Sequence, residues 1–256
     1  MSLRRSAIGV INKTVFHPLG MRLQVLNDAT IQFEADQQWA SGYILGRDLL
    51  LDLFELTSTN GPRIFDVGAN QGQSIKAFLR LWPNAQIISF EPDPVEATSL
   101  RRNWSSSEGV EIVEAAVLDH DEGTSFHRFE SSDLNSIHDR ATDSWITSPP
   151  IDLVRVPSLT LDGFCQDRSI AQVDLLKVDV QGAEDLVLKG SKTLFDQSAF
   201  RLVQLELTFG HLYEGGCRPG AIFKAMEQNN YQFVALYNQI IQNGRLQFAD
   251  GLWRAN

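Results

Sequence analysis

Apolar residues follow two alternating periodicities along most of the chain from Arg63 onward. The first apolar run, RIFDVG at residues 63–68, has the length and composition of a buried β-strand. The next segment carries apolar side chains at positions i, i+3, i+4 and i+7, which form one stripe on a helix and predict a helix from about Ser74 to Trp82. That stripe consists of Ile75, Phe78, Leu79 and Trp82.

The same alternation of strand and helix continues to about residue 230. Further apolar runs predict strands at AQIISFEP (85–92), VEIVEAAV (110–117), VDLLKVDV (173–180) and FRLVQLEL (200–207). Helices are predicted over 93–104, 183–195 and 220–229. The first of these has the fullest start signal, with Asp93 as N-cap, Pro94 in the first turn and Glu96 three residues past the cap. Strands that alternate with helices predict a parallel sheet covered on both faces.

The last segment breaks this pattern. Two strand-like runs flank Asn243-Gly244, a dipeptide that suits a tight hairpin because both turn positions need a positive φ angle. We therefore expect the final strand to run antiparallel to its neighbour. The predicted fold is α/β, a doubly wound and mostly parallel sheet with an antiparallel C-terminal hairpin strand.

The chain is divided by its pattern into two parts. Residues 1–60 form an N-terminal cover of short strands and a helix, the helix being predicted in YILGRDLLLDLFEL (43–56), and residues 61–256 form the main domain. An insertion near 118–162 separates the third strand from the fourth and contains strand-like TSFHRF and VRVPSLTL around a polar middle. An insertion at that place is a candidate lid or substrate cover.

Composition narrows the possible partners. The 256 residues include 22 basic and 32 acidic side chains, a formal charge of -10, so we expect neither nucleic acid nor an anionic membrane as a partner. No apolar run approaches the roughly 18 residues of a membrane span, and we expect no stable membrane insertion. The two cysteines are too few for a disulfide framework and lack metal-ligand spacing, which favours a reducing, cytoplasmic location and no bound metal.

The turn after the first strand, IFDVGANQGQS, has three possible ligands. A dinucleotide fingerprint requires glycine where Asn70 and Gln73 stand, and a phosphate-binding P-loop requires a lysine before Ser74. The remaining pattern is D-x-G-x-x-x-G, formed by Asp66, Gly68 and Gly72. It suits a ligand with a cationic amino-acid tail. The glycine lets the backbone approach the ligand closely, the acid offers negative charge to its cationic group, and the loop amides can bind its carboxylate.

A second acid supports that interpretation. Glu91 ends the next strand, 25 residues beyond Asp66, where a carboxylate can accept two hydrogen bonds from ribose hydroxyls. A ribose joined to a cationic amino acid, without pyrophosphate, describes S-adenosylmethionine. The alternative is that Gly68 and Gly72 serve only helix–strand packing and that Glu91 is a solvated acid at a strand end.

Several motifs together resemble the FkbM-type S-adenosylmethionine-dependent methyltransferases. The matching pieces are FDVGANQGQS, SFEPDP, EAAVLD, VPSLTLDGF and LLKVDVQGAEDLVLKG, in family order across about residues 63–190. The resemblance implies a class I, Rossmann-like methyltransferase fold that binds S-adenosylmethionine and O-methylates a hydroxyl of a sugar, a glycolipid or a secondary metabolite. A small-molecule or glycan acceptor would be its partner; the sequence leaves the acceptor and the oligomeric state open.

The resemblance also assigns residues. Asp66, Gly68, Asn70 and Gly72 would hold the methionine end of the cofactor, Glu91 the ribose with Pro92 and Asp93 beside it, and Ala115 and Ala116 would border the adenine. Ser136, in the polar middle of the insertion, is either a hydrogen-bonding group of the site or part of a surface loop. The candidate cofactor-binding residues are Asp66, Gly68, Asn70, Gly72, Ser74, Glu91, Pro92, Asp93, Ala115, Ala116 and Ser136.

Methyl transfer to a hydroxyl requires one base near the carboxyl ends of the strands. Asp179 ends the fourth strand of the main domain and is the first candidate, although an acid there could also cap the following helix. Glu206, at the end of the fifth strand, and His211, in the loop after it, are the other candidates; each could instead be a paired acid or a surface histidine. Gln181 departs from the family pattern, which usually has glutamate at this position.

Two other functions stay open at this point. One is a nicotinamide-dependent oxidoreductase on a similar sheet, which the glycine spacing and the Asn243-Gly244 hairpin disfavour. The other is a non-catalytic relative that binds the cofactor without turning it over, for which Gln181 is the supporting feature.

Overall fold

The computed structural model describes residues 21–27, 30–35, 45–144, 146 and 148–256. The chain forms two compact units, residues 1–45 and 46–256. In the first, β1 (Met21–Asn27) and β2 (Thr30–Ala35) pair in an antiparallel hairpin. The rest of the predicted N-terminal cover up to residue 44 lies outside the described residues. The helix that the sequence predicts over 43–56 lies in the second unit. The proposed division after residue 60 stays a prediction.

Eleven strands lie in the described residues of the second unit. Those of its central sheet are β3 (Arg63–Val67), β4 (Gln86–Phe90), β5 (Val110–Val113), β10 (Val173–Val178), β11 (Phe200–Thr208), β12 (Tyr231–Gln242) and β13 (Arg245–Ala255). The shorter pairs are β6 (Ala116–Val117) with β9 (Ser158–Leu159) and β7 (Thr124–Arg128) with β8 (Asp152–Val156).

The central sheet confirms the predicted topology. Its order is β12-β13-β11-β10-β3-β4-β5, in which β11, β10, β3, β4 and β5 are parallel. Strand β13 lies between β11 and β12 and is antiparallel to both. The hairpin that reverses the chain has positive φ angles at Asn243 (51°) and Gly244 (70°), as the dipeptide predicts.

Helices cover both faces of this sheet. They are α1 (Leu49–Leu56), α2 (Gln73–Leu81), α3 (Pro94–Asn103), α4 (Leu161–Arg168), α5 (Glu184–Lys189), α6 (Lys192–Asp196) and α7 (Pro219–Gln228). Buried residues of α1, α2 and α3 pack with Ile64 and Leu175 on one face, and those of α4 to α7 pack with Phe65 and Leu176 on the other. Successive strand residues thus enter opposite cores, as expected for a sheet buried on both faces.

Three details differ from the sequence prediction. The predicted strand over 110–117 is two strands, β5 and β6, and only β5 joins the central sheet. The predicted helix over 183–195 is two short helices, the first of which ends at Gly190; a Cβ atom there would lie 1.9 Å from the carbonyl oxygen of Leu118, so this close approach requires glycine. Helix α4 was not predicted, since only Leu161 and Cys165 of its residues are buried and no apolar stripe marks it.

The carboxyl ends of β3, β4, β10 and β11 meet at one edge of the sheet, where binding sites of open α/β sheets lie. None of the helices in the described ranges has both the length and the apolar character needed to cross a bilayer.

Candidate active site

A cavity of about 360 Å³ opens at the carboxyl edge of the central sheet. The strand ends contribute Gly68, Glu91, Asp179 and Glu206 to its wall, and the C-terminal hairpin contributes Ile240 and Phe248. Part of the insertion, residues 132–137, crosses the cavity; we call this segment the strap. The cavity is within the range of small-molecule sites and combines apolar walls with a few converging polar groups. Asn70, Pro92, Ala115 and Ala116, four of the candidate cofactor-binding residues, also line it.

The glycine turn brings two strands together. Gly68 has a φ angle of +81°, and a Cβ atom there would lie 1.9 Å from the carbonyl oxygen of Asp179. The turn after β3 therefore packs directly on the end of β10 and leaves Asp179 beside the cavity. Gly72 lies outside the cavity lining and serves helix packing instead. A Cβ atom at this position would lie 2.8 Å from the side chain of Leu100 in α3. Ser74, in the first turn of α2, is half-buried and also lies outside that lining.

Glu91 is fixed at the cavity wall by the backbone. The N–H of Asn70 donates to its Oε2 at 2.7 Å, and the N–H of Asp93 donates to its Oε1 at 2.8 Å. Its side chain is 5% exposed, and burial raises its pKa to about 7 despite these two hydrogen bonds. Each carboxylate oxygen keeps further acceptor capacity. A ribose diol, which needs a firmly held pair of acceptors, fits this arrangement.

Asp66 has a protein partner for its charge. It is fully buried, and Lys177 Nζ lies 3.1 Å from its Oδ1. Burial raises the pKa of Asp66, an effect that Lys177 opposes. Although burial disfavours its ammonium form, the carboxylates of Asp66 and Asp179 raise the pKa of Lys177 above its ordinary value. Asp66 is outside the cavity lining, so its charge acts on a ligand only at a distance.

Lys177 is the residue of this region that sequence reasoning missed. Its Nζ also donates to the carbonyl oxygen of Gly68 at 3.2 Å and lies 3.7 Å from Asp179 Oδ2. The signal was present, since a lysine inside the apolar strand LLKVDV must find a partner to be buried. What the sequence could not supply was the partner, which lies on another strand.

Asp179 and Glu206 lie side by side at the cavity. The side-chain amide nitrogen of Gln181 donates to Asp179 Oδ1 at 3.0 Å and to Glu206 Oε2 at 2.7 Å. The side chain of Asp179 is 34% exposed. Burial, and then the negative charge of Asp179, raise the pKa of Glu206 well above its ordinary value. The arrangement offers two half-buried acids side by side, of which Glu206 tends to keep its proton.

The strap is tied to the glycine turn and to the start of α3. Ser132 donates to the side chain of Asn70 at 2.7 Å, and Asn135 donates to Asp93 at 3.1 Å. Asp93 also caps α3 through the Val95 N–H and pairs with Arg128 at 2.8 Å. Asp93 thus acts on the cavity through the strap and is not part of its lining.

Ser136 and His211 occupy other positions. Ser136 is fully buried in the strap and donates to the carbonyl oxygen of Gln181 at 2.7 Å, which fixes the turn after β10. His211 Nδ1 lies 2.5 Å from Asp143 Oδ1, and the ring is outside the cavity lining. Across the described part of the chain, no group of three or more histidine, cysteine or acidic side chains is arranged to hold a metal ion.

Comparison with protein families gives one match over most of this fold. The family model described as the methyltransferase FkbM domain matches residues 66–233. Its limits include the glycine turn, Glu91, the insertion and both Asp179 and Glu206.

Two relatives have similar sequences. The 2-O-methyltransferase NoeI of Sinorhizobium fredii (strain NBRC 101917 / NGR234) is 30% identical over 187 residues, which are 69% of this chain and 74% of NoeI. The methyltransferase sdnD of Sordaria araneosa is 28% identical over 169 residues, which are 56% of this chain and 64% of sdnD.

Among solved structures, the crystal structure of methyltransferase FkbM from Methylobacillus flagellatus KT superposes with a TM-score of 0.51 at 14% identity. The superposition covers 82% of this chain but 48% of the other, so this chain spans about half of that protein. At this identity the likeness concerns the fold alone. It confirms the predicted α/β class I methyltransferase sheet with antiparallel C-terminal strands.

Proposed function

This chain belongs to the FkbM methyltransferase family, and on that premise we propose that it transfers the methyl group of S-adenosylmethionine to a hydroxyl of a sugar-like acceptor. The family makes the chain a methyltransferase and sets aside the oxidoreductase considered from the sequence. The cofactor, the acceptor class and the residues that bind them are our proposal. The activity of the relative NoeI, 2-O-methylation, supports oxygen as the acceptor atom.

The observation that carries the proposal is the position of Glu91. Its carboxylate is held by two backbone N–H groups at the end of β4 and faces the cavity beside the Gly68 turn. Burying a carboxylate costs free energy unless its oxygen atoms accept hydrogen bonds. We propose that it accepts both ribose hydroxyls of the cofactor, with Asn70 and Gly68 at the methionine end and Pro92, Ala115 and Ala116 bordering the adenine.

The chemistry asks little of the protein beyond placement and one proton transfer. When bound, S-adenosylmethionine supplies an electrophilic methyl group on its sulfonium sulfur. Asp179 would accept the proton of the acceptor hydroxyl, because its side chain is 34% exposed at the cavity, whereas burial favours the protonated form of the neighbouring Glu206. Ile240 and Phe248 would cover the acceptor and exclude water, and the strap would close over both ligands.

The first test compares two adenosine-containing ligands, S-adenosylhomocysteine and NAD. A ligand present at about 100 times its dissociation constant adds roughly 2.7 kcal/mol to the free energy of unfolding, which a thermal shift measurement detects. We expect S-adenosylhomocysteine to stabilise the protein and NAD to leave its melting temperature unchanged. Stabilisation by NAD, with none by S-adenosylhomocysteine, would refute the proposed cofactor.

A further inference from the structure

We propose that Gln181, oriented by Tyr213, is a positioning residue that holds Asp179 and Glu206 together in the cavity and so sets the pH dependence of methyl transfer. This inference rests on the proposed function of the same cavity. It gives a role to the residue at which the chain departs from the usual family sequence.

The contacts of Gln181 use its whole amide group. Its nitrogen donates to Asp179 Oδ1 at 3.0 Å and to Glu206 Oε2 at 2.7 Å, so each N–H bond has its own carboxylate. Its oxygen accepts the hydroxyl of Tyr213 at 3.0 Å. A primary amide has two donors on one atom, and this geometry bridges two neighbouring acids, which repel each other whenever both are ionised.

Tyr213 determines which way the amide faces. Its hydroxyl lies 3.0 Å from the carbonyl oxygen of Leu134 in the strap as well as from Gln181. The Arg140 guanidinium stacks between the rings of Phe129 and Tyr213, at 4.4 and 4.6 Å from the ring centroids. The single hydroxyl proton of a ring fixed in this way is shared between the Leu134 carbonyl oxygen and the Gln181 amide oxygen, so the amide oxygen faces Tyr213 and the amide N–H groups face the acids.

The backbone also holds Gln181 in place. Its φ angle is 53°, a left-handed conformation that costs a non-glycine residue of order 1 kcal/mol. Its carbonyl oxygen accepts Ser136 Oγ at 2.7 Å, and the next carbonyl, of Gly182, accepts the N–H of Cys217 at 2.7 Å. The strap and the loop after β11 therefore both stabilise the strained backbone at Gln181. A glutamine without a role in the cavity would not require this conformation.

The charges around this amide are mostly negative. The acids and bases that face the Asp179–Glu206 pair are Lys177 on β10, Glu184 on α5, Asp250 on β13, and Tyr213 and Arg140 beside the strap. Lys177 is already paired with Asp66 at 3.1 Å. Burial, and then Asp179 and the other neighbouring acids, raise the pKa of Glu206, so Glu206 tends to keep its proton beside the Asp179 carboxyl group. Gln181 adds donors here without adding charge.

A glutamate at position 181 would place a third carboxyl group against the pair. A negative charge that close to Glu206 disfavours its ionised form and raises its pKa further. We therefore expect Gln181→Glu to move the acidic limb of the kcat profile up by about one pH unit or more, with the KM for S-adenosylmethionine within about twofold. Tyr213→Phe keeps the Gln181 amide but removes the hydroxyl group that orients it. We expect kcat of this variant to fall about 3- to 10-fold.

The matched control is Gln204→Glu. Gln204 is also buried and donates its amide to an acid, Asp250, at 3.2 Å, but it lies outside the cavity lining. We expect this variant to lose stability, while the acidic limb of its kcat profile moves less than half as far as that of Gln181→Glu. The kcat profiles are measured by the release of S-adenosylhomocysteine, with methyl glycosides of neutral sugars as acceptor probes.

A second readout needs no acceptor. Carboxyl carbon-13 NMR, with Glu206 assigned through Glu206→Gln, follows the titration of Glu206 directly. We expect Glu206 to titrate above the ordinary range in the unsubstituted protein, and higher by about one pH unit in Gln181→Glu. The inference fails if Gln181→Glu leaves this titration unchanged, or if Gln204→Glu moves it equally. Failure to bind S-adenosylhomocysteine would instead overturn the proposed function, so the two failures are distinguishable.

Discussion

Substitution of Glu91 by glutamine tests how cofactor binding depends on one buried acid. Burial raises its pKa from the ordinary 4.5 to about 7 in the folded protein. Ribose hydroxyls donate hydrogen bonds, so the ionised form of Glu91 binds them better. With a pKa of about 7, roughly a tenth of the protein is ionised at pH 6 and nine tenths at pH 8. We expect the affinity for S-adenosylhomocysteine to rise about tenfold over that range.

The same pKa has an effect on stability, with the opposite pH dependence. A carboxyl whose pKa is raised by folding stabilises the native state below its unfolded pKa, and this contribution is lost as the pH rises through the folded value. The difference between 4.5 and about 7, at 1.36 kcal/mol per pKa unit, corresponds to about 3 kcal/mol. The free energy of unfolding should therefore fall between about pH 4.5 and pH 8, and Glu91→Gln should flatten that fall.

Glu184 provides the control. It is buried, its pKa is also raised to about 7, mainly by burial, and it accepts the Val180 and Gly182 N–H groups on one oxygen outside the cavity lining. Glu184→Gln should flatten the stability profile in urea denaturation but leave the pH dependence of S-adenosylhomocysteine binding intact. Calorimetry that gives the same tenfold pH dependence for Glu91→Gln as for the unsubstituted protein would refute the assignment of Glu91.

Three further predictions follow from the same geometry. Asp179→Asn should keep its affinity for S-adenosylhomocysteine and lose about 10²- to 10⁴-fold in kcat; full activity would remove Asp179 as the base. Lys177→Met leaves a buried carboxylate unpaired and should lower the free energy of unfolding by about 3–5 kcal/mol in urea denaturation, whereas the exposed Lys224→Met should not. Gly68→Ala would place a Cβ atom 1.9 Å from a carbonyl oxygen and should abolish the native fold, while Gly220→Ala, with nothing within 4 Å, should change the melting temperature little, a difference that circular dichroism detects.

The fold was predictable because its signals are local. Strand and helix periodicity, the Asp93 cap and the Asn243-Gly244 turn each depend on residues within a few positions of one another. Predictions failed where a distant contact decided the structure. The break between α5 and α6 lies at Gly190, which packs against the backbone of the distant Leu118, and α4 packs through Phe164 against Phe65 and Phe90 rather than through a stripe of its own.

The site was predictable only in part, for the same reason. Strand ends that converge at one edge brought Glu91, Asp179 and Glu206 to the cavity. The ion pair of Asp66 joins residues on different strands, and the contact of Tyr213 with Gln181 depends on how the loop after β11 meets the turn after β10. Periodicity reports which face of an element is buried but not which side chain of another element meets it.

The most direct test of the account is the structure of the complex with S-adenosylhomocysteine. We expect both ribose hydroxyls to bind the carboxylate of Glu91, with the sulfur atom on the side of the cavity where Asp179 lies. A nucleoside bound elsewhere on the sheet, or a ribose with no contact to Glu91, would contradict it.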